Sequence, residues 1–158
     1  MKETENIVGF TCSTFDLLHA GHVLMLREAK QVCDYLICGL QIDPTIDRPE
    51  KNKPVQSMLE RYIQLQAVEY VDEIIPYETE QELIELLTHI PIHIRIVGED
   101  YYGKEFTGKD LGIKVHYNKR RHNFSTSGLR QEVSTRENIT VFPRLVAEGE
   151  TQETPEET

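Results

Sequence analysis

The sequence predicts an α/β fold in which a five-stranded parallel sheet is doubly wound, with helices on both faces. Five short runs are apolar and rich in β-branched residues, as strands are. Segments with apolar residues three and four positions apart, as in helices, separate several of these runs. The run at 35–41 is continuous rather than alternating, which is typical of a parallel strand covered on both faces.

The first half of this pattern begins with the run at 7–11, "IVGFT", which we predict to be a short buried strand. A helix follows from Val23, because apolar residues recur there at spacings of three and four. "YLICGLQ" at 35–41 predicts the second strand. The segment 56–68 predicts the second helix, and we expect its buried face to carry Leu59, Tyr62, Ile63 and Leu65.

The second half repeats the alternation of strand and helix. "DEIIPY" predicts a short strand, 80–90 a helix, "IRIVG" at 94–98 and "IKVHY" at 113–117 two further strands, and 125–136 a last helix. Such βαβ units have right-handed crossovers, so the strands form one Rossmann-like sheet. Ligands of these sheets bind beyond the carboxyl ends of the strands, where the strand order reverses.

The charge balance limits the partners of the chain. Among its 158 residues, 27 are acidic and 17 basic, which gives a formal net charge of −10. An acidic chain lacks the broad cationic field that attracts nucleic acid or an anionic membrane surface, so we expect neither as a partner. Three cysteines without a C-x-x-C pair, and a polar N-terminus without a long apolar segment, predict a cytoplasmic protein with reduced thiols.

Two segments fall outside the regular pattern. Residues 42–55 contain three prolines and no periodicity, and a connection of this length in a compact domain is usually functional or mobile. We predict one domain over residues 1–136 and a C-terminal extension over 137–158. The end of that extension is acidic and lacks large apolar side chains, so we expect it to be disordered.

The stretch "TFDLLHAGH" at 14–22 carries the clearest chemical signal. It follows the first strand and precedes the first helix, so His19 and His22 lie where free backbone N–H groups and the helix dipole favour a phosphate. Gly21 allows close approach of a ligand, because it has no Cβ. Two alternatives are a structural role for both histidines and a zinc site with Cys12, which lacks a fourth ligand at metal spacing.

This stretch resembles the T-F-D-x-x-H-x-G-H motif of the cytidylyltransferase-like nucleotidyltransferases. A second family motif consists of an Arg, three further residues, a hydrophobic residue and Ser-Thr-Ser/Thr. The stretch "RRHNFSTS", from Arg120 to Ser127, resembles it. The resemblance spans roughly residues 7–136. It implies an enzyme in which the phosphate of a phosphorylated alcohol attacks the α-phosphorus of a nucleoside triphosphate. Pyrophosphate then leaves, and Mg²⁺ is present as the cofactor.

The resemblance also implies roles for individual residues. His19, His22 and Arg120 would be the catalytic group, stabilising negative charge on the phosphates. The nucleotide-binding residues would be Thr14, Phe15, His19, His22, Gly98, Arg120, Ser125 and Thr126. Lys51 and Lys53 of the long loop and Arg61 of the second helix would bind the acceptor phosphate. The resemblance does not identify which groups would bind the metal ion.

The chain departs from the family pattern at two places. Ser13 stands where the family has a glycine before the threonine of the first motif, so we expect a side chain at a point of close approach to the nucleotide. In the second motif, His122 and Asn123 replace an acidic residue and a glycine.

We expect transfer of CMP from CTP to a small phosphorylated alcohol resembling glycerol 3-phosphate, by a homodimer. Two alternatives stay open at this point. One is an adenylyltransferase that uses ATP and acts on a sugar phosphate or flavin mononucleotide, and the other is a nucleotide-binding regulatory protein without turnover.

Overall fold

The computed structural model describes residues 5–140, with side chains up to residue 137. It divides into two units, one ending at Asn123 and one beginning at Phe124, which are described separately below. The C-terminal extension predicted for 137–158 lies mostly outside the described residues, so its expected disorder stays a prediction. No helix within the described range is long and apolar enough to cross a bilayer.

The first unit contains five strands and three α-helices. In chain order they are β1 (Val8–Ser13), α1 (Ala20–Gln31), β2 (Tyr35–Gln41), α2 (Met58–Gln66), β3 (Glu73–Tyr77), α3 (Glu80–His89), β4 (Ile94–Gly98) and β5 (Lys114–Asn118). Two short 3₁₀ turns, Glu99–Tyr101 and Lys109–Leu111, lie between β4 and β5. The second unit contains α4 (Thr126–Thr140).

The sheet is parallel throughout, with the strand order β3-β2-β1-β4-β5. This confirms the predicted doubly wound, five-stranded sheet. The chain moves outward from β1 to β3 and then returns to place β4 on the other side of β1. The strand order therefore reverses between β1 and β4, and the crevice beyond their carboxyl ends is the expected ligand position.

Apolar side chains form one core on each face of the sheet. One core contains Leu26 and Ala29 of α1 with Leu65 of α2, and the other contains Leu83 and Leu87 of α3. The presence of helices on both faces is thus confirmed within the first unit. Burial of these side chains removes apolar surface from water, which is the main favourable term in folding.

The buried face of helix α2 agrees only in part with the one that the sequence predicts. Leu59 and Ile63 are 65% and 58% exposed, so their predicted burial is wrong. The predicted burial of Leu65 is confirmed and Tyr62 is partly covered, but the buried face also contains Arg61. The spacing of apolar residues in α2 does not predict this face, because the most buried side chain in its first turns is the charged Arg61.

Candidate active site

The turn between β1 and α1 has an unusual backbone that the neighbouring loop holds in place. Phe15 and Leu17 have positive φ angles of 47° and 50°, which side chains other than glycine rarely adopt. The buried Asp16 carboxylate accepts the N–H groups of Val55 and Gln56, each at 2.9 Å. Gln56 Oε1 accepts the N–H of Leu17 at 2.8 Å. Surrounding hydrogen bonds of this kind are what allows a strained conformation to persist.

Arg61 is part of this support, and the prediction that it reaches the acceptor phosphate is corrected. Its side chain is 2% exposed, and its N–H groups are directed at main-chain carbonyls. Nε donates to Gln56 at 3.2 Å, Nη1 to Thr14 at 3.0 Å and Gln41 at 2.6 Å, and Nη2 to Ile42 at 2.7 Å. These four bonds occupy most of the guanidinium donors inside the protein, and the side chain has almost no surface to offer a substrate.

His19 and His22 cap the N-terminus of α1 with their Nδ1 atoms. His19 is the N-cap residue, and its Nδ1 accepts the N–H of Gly21 at 3.0 Å. His22 Nδ1 accepts the N–H of His19 at 3.2 Å. A nitrogen that accepts a hydrogen bond carries no proton, so each neutral ring has its proton on Nε2. Because of this cap, the helix begins at Ala20 rather than at the predicted Val23.

The environment keeps both imidazoles neutral at pH 7. Burial lowers the pKa of His22 to about 4, with a further contribution from His19. Burial also lowers the pKa of His19, and the nearby charges of His122 and Arg120 act in the same direction. The two rings lie with centroids 4.0 Å apart, and the Phe15 ring is 5.6 Å from that of His22. Two neutral rings, each protonated on Nε2, therefore lie together at the start of a helix.

Phe15 and Thr14 contribute to the site mainly through the backbone. The Phe15 ring is fully buried in the core that contains Leu26, so the predicted nucleotide contact is corrected to one that only its backbone could make. The Thr14 carbonyl accepts the bond from Arg61 already described. Ser13 Oγ accepts the N–H of Phe15 in a long, 3.4 Å hydrogen bond. The serine that replaces the family glycine thus contacts the turn itself.

Arg120 is tied to the turn that follows β4. Its N–H donates to Glu99 Oε1 at 2.6 Å, and its Nη1 lies 3.8 Å from Asp100 Oδ2. Its charge also acts on His19, so the structure brings Arg120 near the histidine pair. Gly98 ends β4, the strand across the crevice from β1, and no described atom lies within 4 Å of a Cβ placed there.

The space beside Gly21 is filled by imidazole rings. A Cβ at this position would lie 2.8 Å from His19 Cε1 and 3.0 Å from His122 Cε1. The first distance is shorter than real Cβ contacts and the second is tighter than most, so a side chain at this position would displace the imidazole rings. His122 therefore belongs to the same cluster, although the sequence marked it only as a departure from the second motif.

Lys51 and Lys53 lie on the long loop between β2 and α2. Both are exposed, and Lys53 Nζ lies 3.9 Å from Asp43 Oδ2. Two residues further on, the N–H of Val55 is bound to Asp16 of the β1 turn. The loop that carries the lysines thus ends against the histidine turn, and their predicted contact with an acceptor is untested.

Glu80, at the start of α3, joins two loops that the sequence did not connect. Its Oε1 lies 3.2 Å from Nη2 of Arg48 and 3.3 Å from Nε2 of Gln41. Its Oε2 accepts the hydroxyl proton of Thr107 at 2.5 Å. One carboxylate therefore links the loop after β2 to the loop after β4. No local sequence pattern marks such a contact, because its partners lie far apart in the chain.

In the second unit, Ser125 caps helix α4. Its Oγ accepts the N–H of Gly128 at 3.0 Å, and Thr126 is the first residue of the helix. The remaining free N–H groups of a helix N-terminus are suited to anions. The predicted nucleotide contacts of Ser125 and Thr126 remain predictions.

No group of three or more His, Cys, Asp or Glu side chains within the described residues could hold a metal ion. The zinc alternative also lacks support from Cys12, whose thiol is placed against Tyr77 and Arg95. Asp16, the carboxylate next to the histidines, already accepts two backbone N–H groups.

Comparison with known proteins shows the family to which the chain belongs. The family model described as cytidylyltransferase-like matches residues 10–137. Glycerol-3-phosphate cytidylyltransferase of Bacillus subtilis is 34% identical over 125 residues, which cover 78% of this chain and 95% of that protein. The bifunctional protein HldE of Campylobacter jejuni is 32% identical over 134 residues. That match covers 84% of this chain but only 29% of the length of HldE.

Solved structures share the fold at lower sequence identity. The lipopolysaccharide core biosynthesis protein of Thermoplasma volcanium has a TM-score of 0.62 at 21% identity, over 74% of this chain and 99% of that one. Pantothenate synthetase of Thermus thermophilus has a TM-score of 0.57 at 16% identity, over 83% of this chain and 64% of that one. At these levels of sequence identity, the two similarities show a shared fold of sheet and helices.

Proposed function

The chain belongs to the cytidylyltransferase-like family and is a nucleotidyltransferase, and on that premise we propose that it transfers CMP from CTP to a small phosphorylated alcohol. Glycerol 3-phosphate is the acceptor of this kind that we propose to test first. The relative from Bacillus subtilis, matched over nearly its whole length, supports this choice. The family assignment gives nucleotidyl transfer, and our proposal adds the nucleotide, CTP, and the class of acceptor, a phosphorylated alcohol.

The observation that carries the proposal is the pair of neutral imidazoles at the start of α1. Both Nδ1 atoms accept backbone N–H groups, so the N–H donor of each neutral ring is its Nε2–H. Such donors, fixed before the substrate arrives, stabilise negative charge that grows on phosphate oxygens in the transition state. The free N–H groups of the helix N-terminus favour the same anion.

The proposed reaction is a direct displacement. A phosphate oxygen of the acceptor attacks the α-phosphorus of CTP and forms a new P–O bond. The bond from the α-phosphorus to the oxygen shared with the β-phosphate breaks, and pyrophosphate leaves with its electron pair. His19 and His22 donate hydrogen bonds to the oxygens that gain charge, and Arg120 offsets the charge of the departing pyrophosphate. Positioning and electrostatics suffice for this chemistry, without a covalent enzyme intermediate.

The acceptor phosphate is assigned to Lys51 and Lys53, since Arg61 is committed to main-chain carbonyls. Ser125 and Thr126 are proposed to bind the terminal phosphates of CTP with the N–H groups of α4. Thr14 and Gly98 are proposed to contact the nucleotide through backbone atoms at the ends of β1 and β4.

Mg²⁺ is proposed as part of the nucleotide substrate. Mg²⁺ commonly binds through substrate phosphates and retained waters, with few protein ligands. The described residues offer no cage of three metal-ligating side chains, which fits an ion carried by the triphosphate. We also propose a homodimer, which sedimentation analysis of the purified protein would test.

The decisive experiment measures pyrophosphate release from each of four nucleoside triphosphates with a panel of phosphorylated alcohols. We expect turnover with CTP and glycerol 3-phosphate. Preference for ATP with a sugar phosphate or flavin mononucleotide would show that the proposed nucleotide and acceptor are wrong. The assignment as a nucleotidyltransferase would still hold. Binding of a triphosphate without turnover on any acceptor would instead indicate a regulatory nucleotide-binding protein.

A further inference from the structure

His122 is an imidazole at the site for which the mechanism above has no use. It lies on the segment after β5, close enough to Gly21 that its Cε1 would be 3.0 Å from a Cβ there. His19 Cε1 would be 2.8 Å from the same Cβ. Two rings from different parts of the chain therefore meet over one glycine at the start of α1.

The surroundings of the two rings differ in charge. His19 is neutral, and its Nδ1 is committed to the helix cap. His122 follows Lys119, Arg120 and Arg121, which form the densest basic run in an acidic chain. The terminal phosphates are the most negative part of a nucleoside triphosphate. They are therefore expected to face the basic segment, whereas the α-phosphate faces the neutral donors of α1.

We propose that His122 is a further nucleotide-binding residue, whose imidazole contacts the β- and γ-phosphates of the triphosphate beside His19. This inference rests on the proposed function, because it assumes that the α1 terminus receives a triphosphate. It assigns a role to a residue that replaces the acidic side chain usual in the family. The family motifs do not supply this contact, so it is a property of this chain.

The experiment compares CTP with CMP by isothermal titration calorimetry at fixed Mg²⁺ concentration. Because a hydrogen bond to a charged group is lost, His122→Ala should raise the Kd for CTP about tenfold or more and change that for CMP less than about twofold. His122→Glu should weaken CTP further, since a carboxylate repels the phosphates. His89→Ala is the matched control, an exposed histidine on α3 whose Nδ1 contacts only the helix carbonyl of Glu85 among the bonds described.

Several outcomes would overturn the proposal. Unchanged CTP affinity in His122→Ala would do so, as would an equal loss for CTP and CMP, which a purely structural role would cause. Wild-type affinity in His122→Glu would show that an acid serves as well as the imidazole.

The wild-type enzyme separates this inference from the proposed function. If it binds CTP but releases no pyrophosphate, transfer is refuted, while a selective loss of CTP affinity in His122→Ala still supports the phosphate contact. If it releases pyrophosphate and His122→Ala binds CTP normally, only the inference fails.

Discussion

Arg61 donates an N–H to the carbonyl oxygen of Thr14 at 3.0 Å, although the two residues are 47 positions apart in the chain. The same guanidinium reaches the carbonyls of Gln41 and Ile42 at the end of β2. A single side chain therefore fixes the ends of two neighbouring strands, next to the turn that carries His19 and His22. Its charge serves the architecture of the site rather than the substrate.

Replacement of Arg61 should destabilise the fold. Arg61→Ala leaves buried carbonyls without their donors, and we expect the free energy of unfolding to fall by about 3 kcal/mol or more. Urea unfolding followed by circular dichroism measures this change. Arg27→Ala, at an exposed position of α1, is the control and should change little. A stable Arg61→Ala protein with a selective rise in KM for the acceptor would restore the role that we have withdrawn.

The sheet could be predicted from the sequence because parallel buried strands have a composition of their own. "YLICGLQ" was placed at 35–41, and the structure has β2 at Tyr35–Gln41. Continuous apolar runs are informative when both faces of a strand are covered, since no polar residue interrupts them. The order of strands and helices followed from the same pattern, because short connections leave few parallel topologies.

The supports of the site could not be predicted in this way. Arg61 has the sequence appearance of a surface helix residue, and only its distant carbonyl partners explain its burial. Phe15 and Leu17 have positive φ angles, but neither is a glycine, so the sequence does not indicate this backbone conformation. His19 and His22 were found because they adjoin a strand and a helix start, whereas His122 is joined to them only by the folded chain.

His22→Asn tests the role of the Nε2–H group with the helix cap kept. The Asn side chain places an acceptor near the position of Nδ1, so it can still accept the N–H of His19, but it has no donor at the Nε2 position. We expect kcat to fall about 100-fold or more with a Tm close to that of the wild type, because the lost donor acts on the transition state. Steady-state kinetics and thermal unfolding measure the two effects. Normal turnover in the folded variant would contradict this role for His22.

The stability of the protein should depend on pH through His22. Its pKa is about 4 in the folded protein, against an ordinary value of 6.5. Between these values the unfolded chain binds a proton that the folded protein does not bind. Stability from this group is therefore complete above pH 6.5 and is lost as the pH falls toward 4.

Comparison with His22→Asn isolates this contribution. From pH 7 to pH 4 the wild type should lose up to about 3 kcal/mol more than the variant, at about 1.4 kcal/mol for each unit of pKa difference. Urea unfolding at a series of pH values measures the loss. Parallel stability curves for the two proteins would show that the ring is not held neutral by burial.

Glu80→Ala should loosen two loops at once. The Glu80 carboxylate contacts Arg48 in the loop after β2 and Thr107 in the loop after β4. We expect faster amide hydrogen exchange in 42–55 and in 102–108, because the shared anchor is lost. Glu85→Ala, an exposed position of the same helix, is the control and should leave both loops unchanged. Faster exchange in one loop alone would show that the two are anchored separately.

Gly21→Ala should separate stability from activity. Alanine favours the helix over glycine by about 0.5–1 kcal/mol. Its Cβ, however, would lie 2.8 Å from His19 Cε1 and 3.0 Å from His122 Cε1, so both rings must move.

Displacement of His19 weakens its cap bond to residue 21. This loss offsets the gain in helix propensity, so the Tm should change little. The donors that we propose for the phosphate would be displaced, and a misplacement of about 1 Å can cost about 100-fold in rate. We therefore expect kcat/KM to fall between about tenfold and about 100-fold, depending on how far the rings move. Full activity in this variant would show that the two rings can shift without consequence, and that the glycine serves only the helix turn.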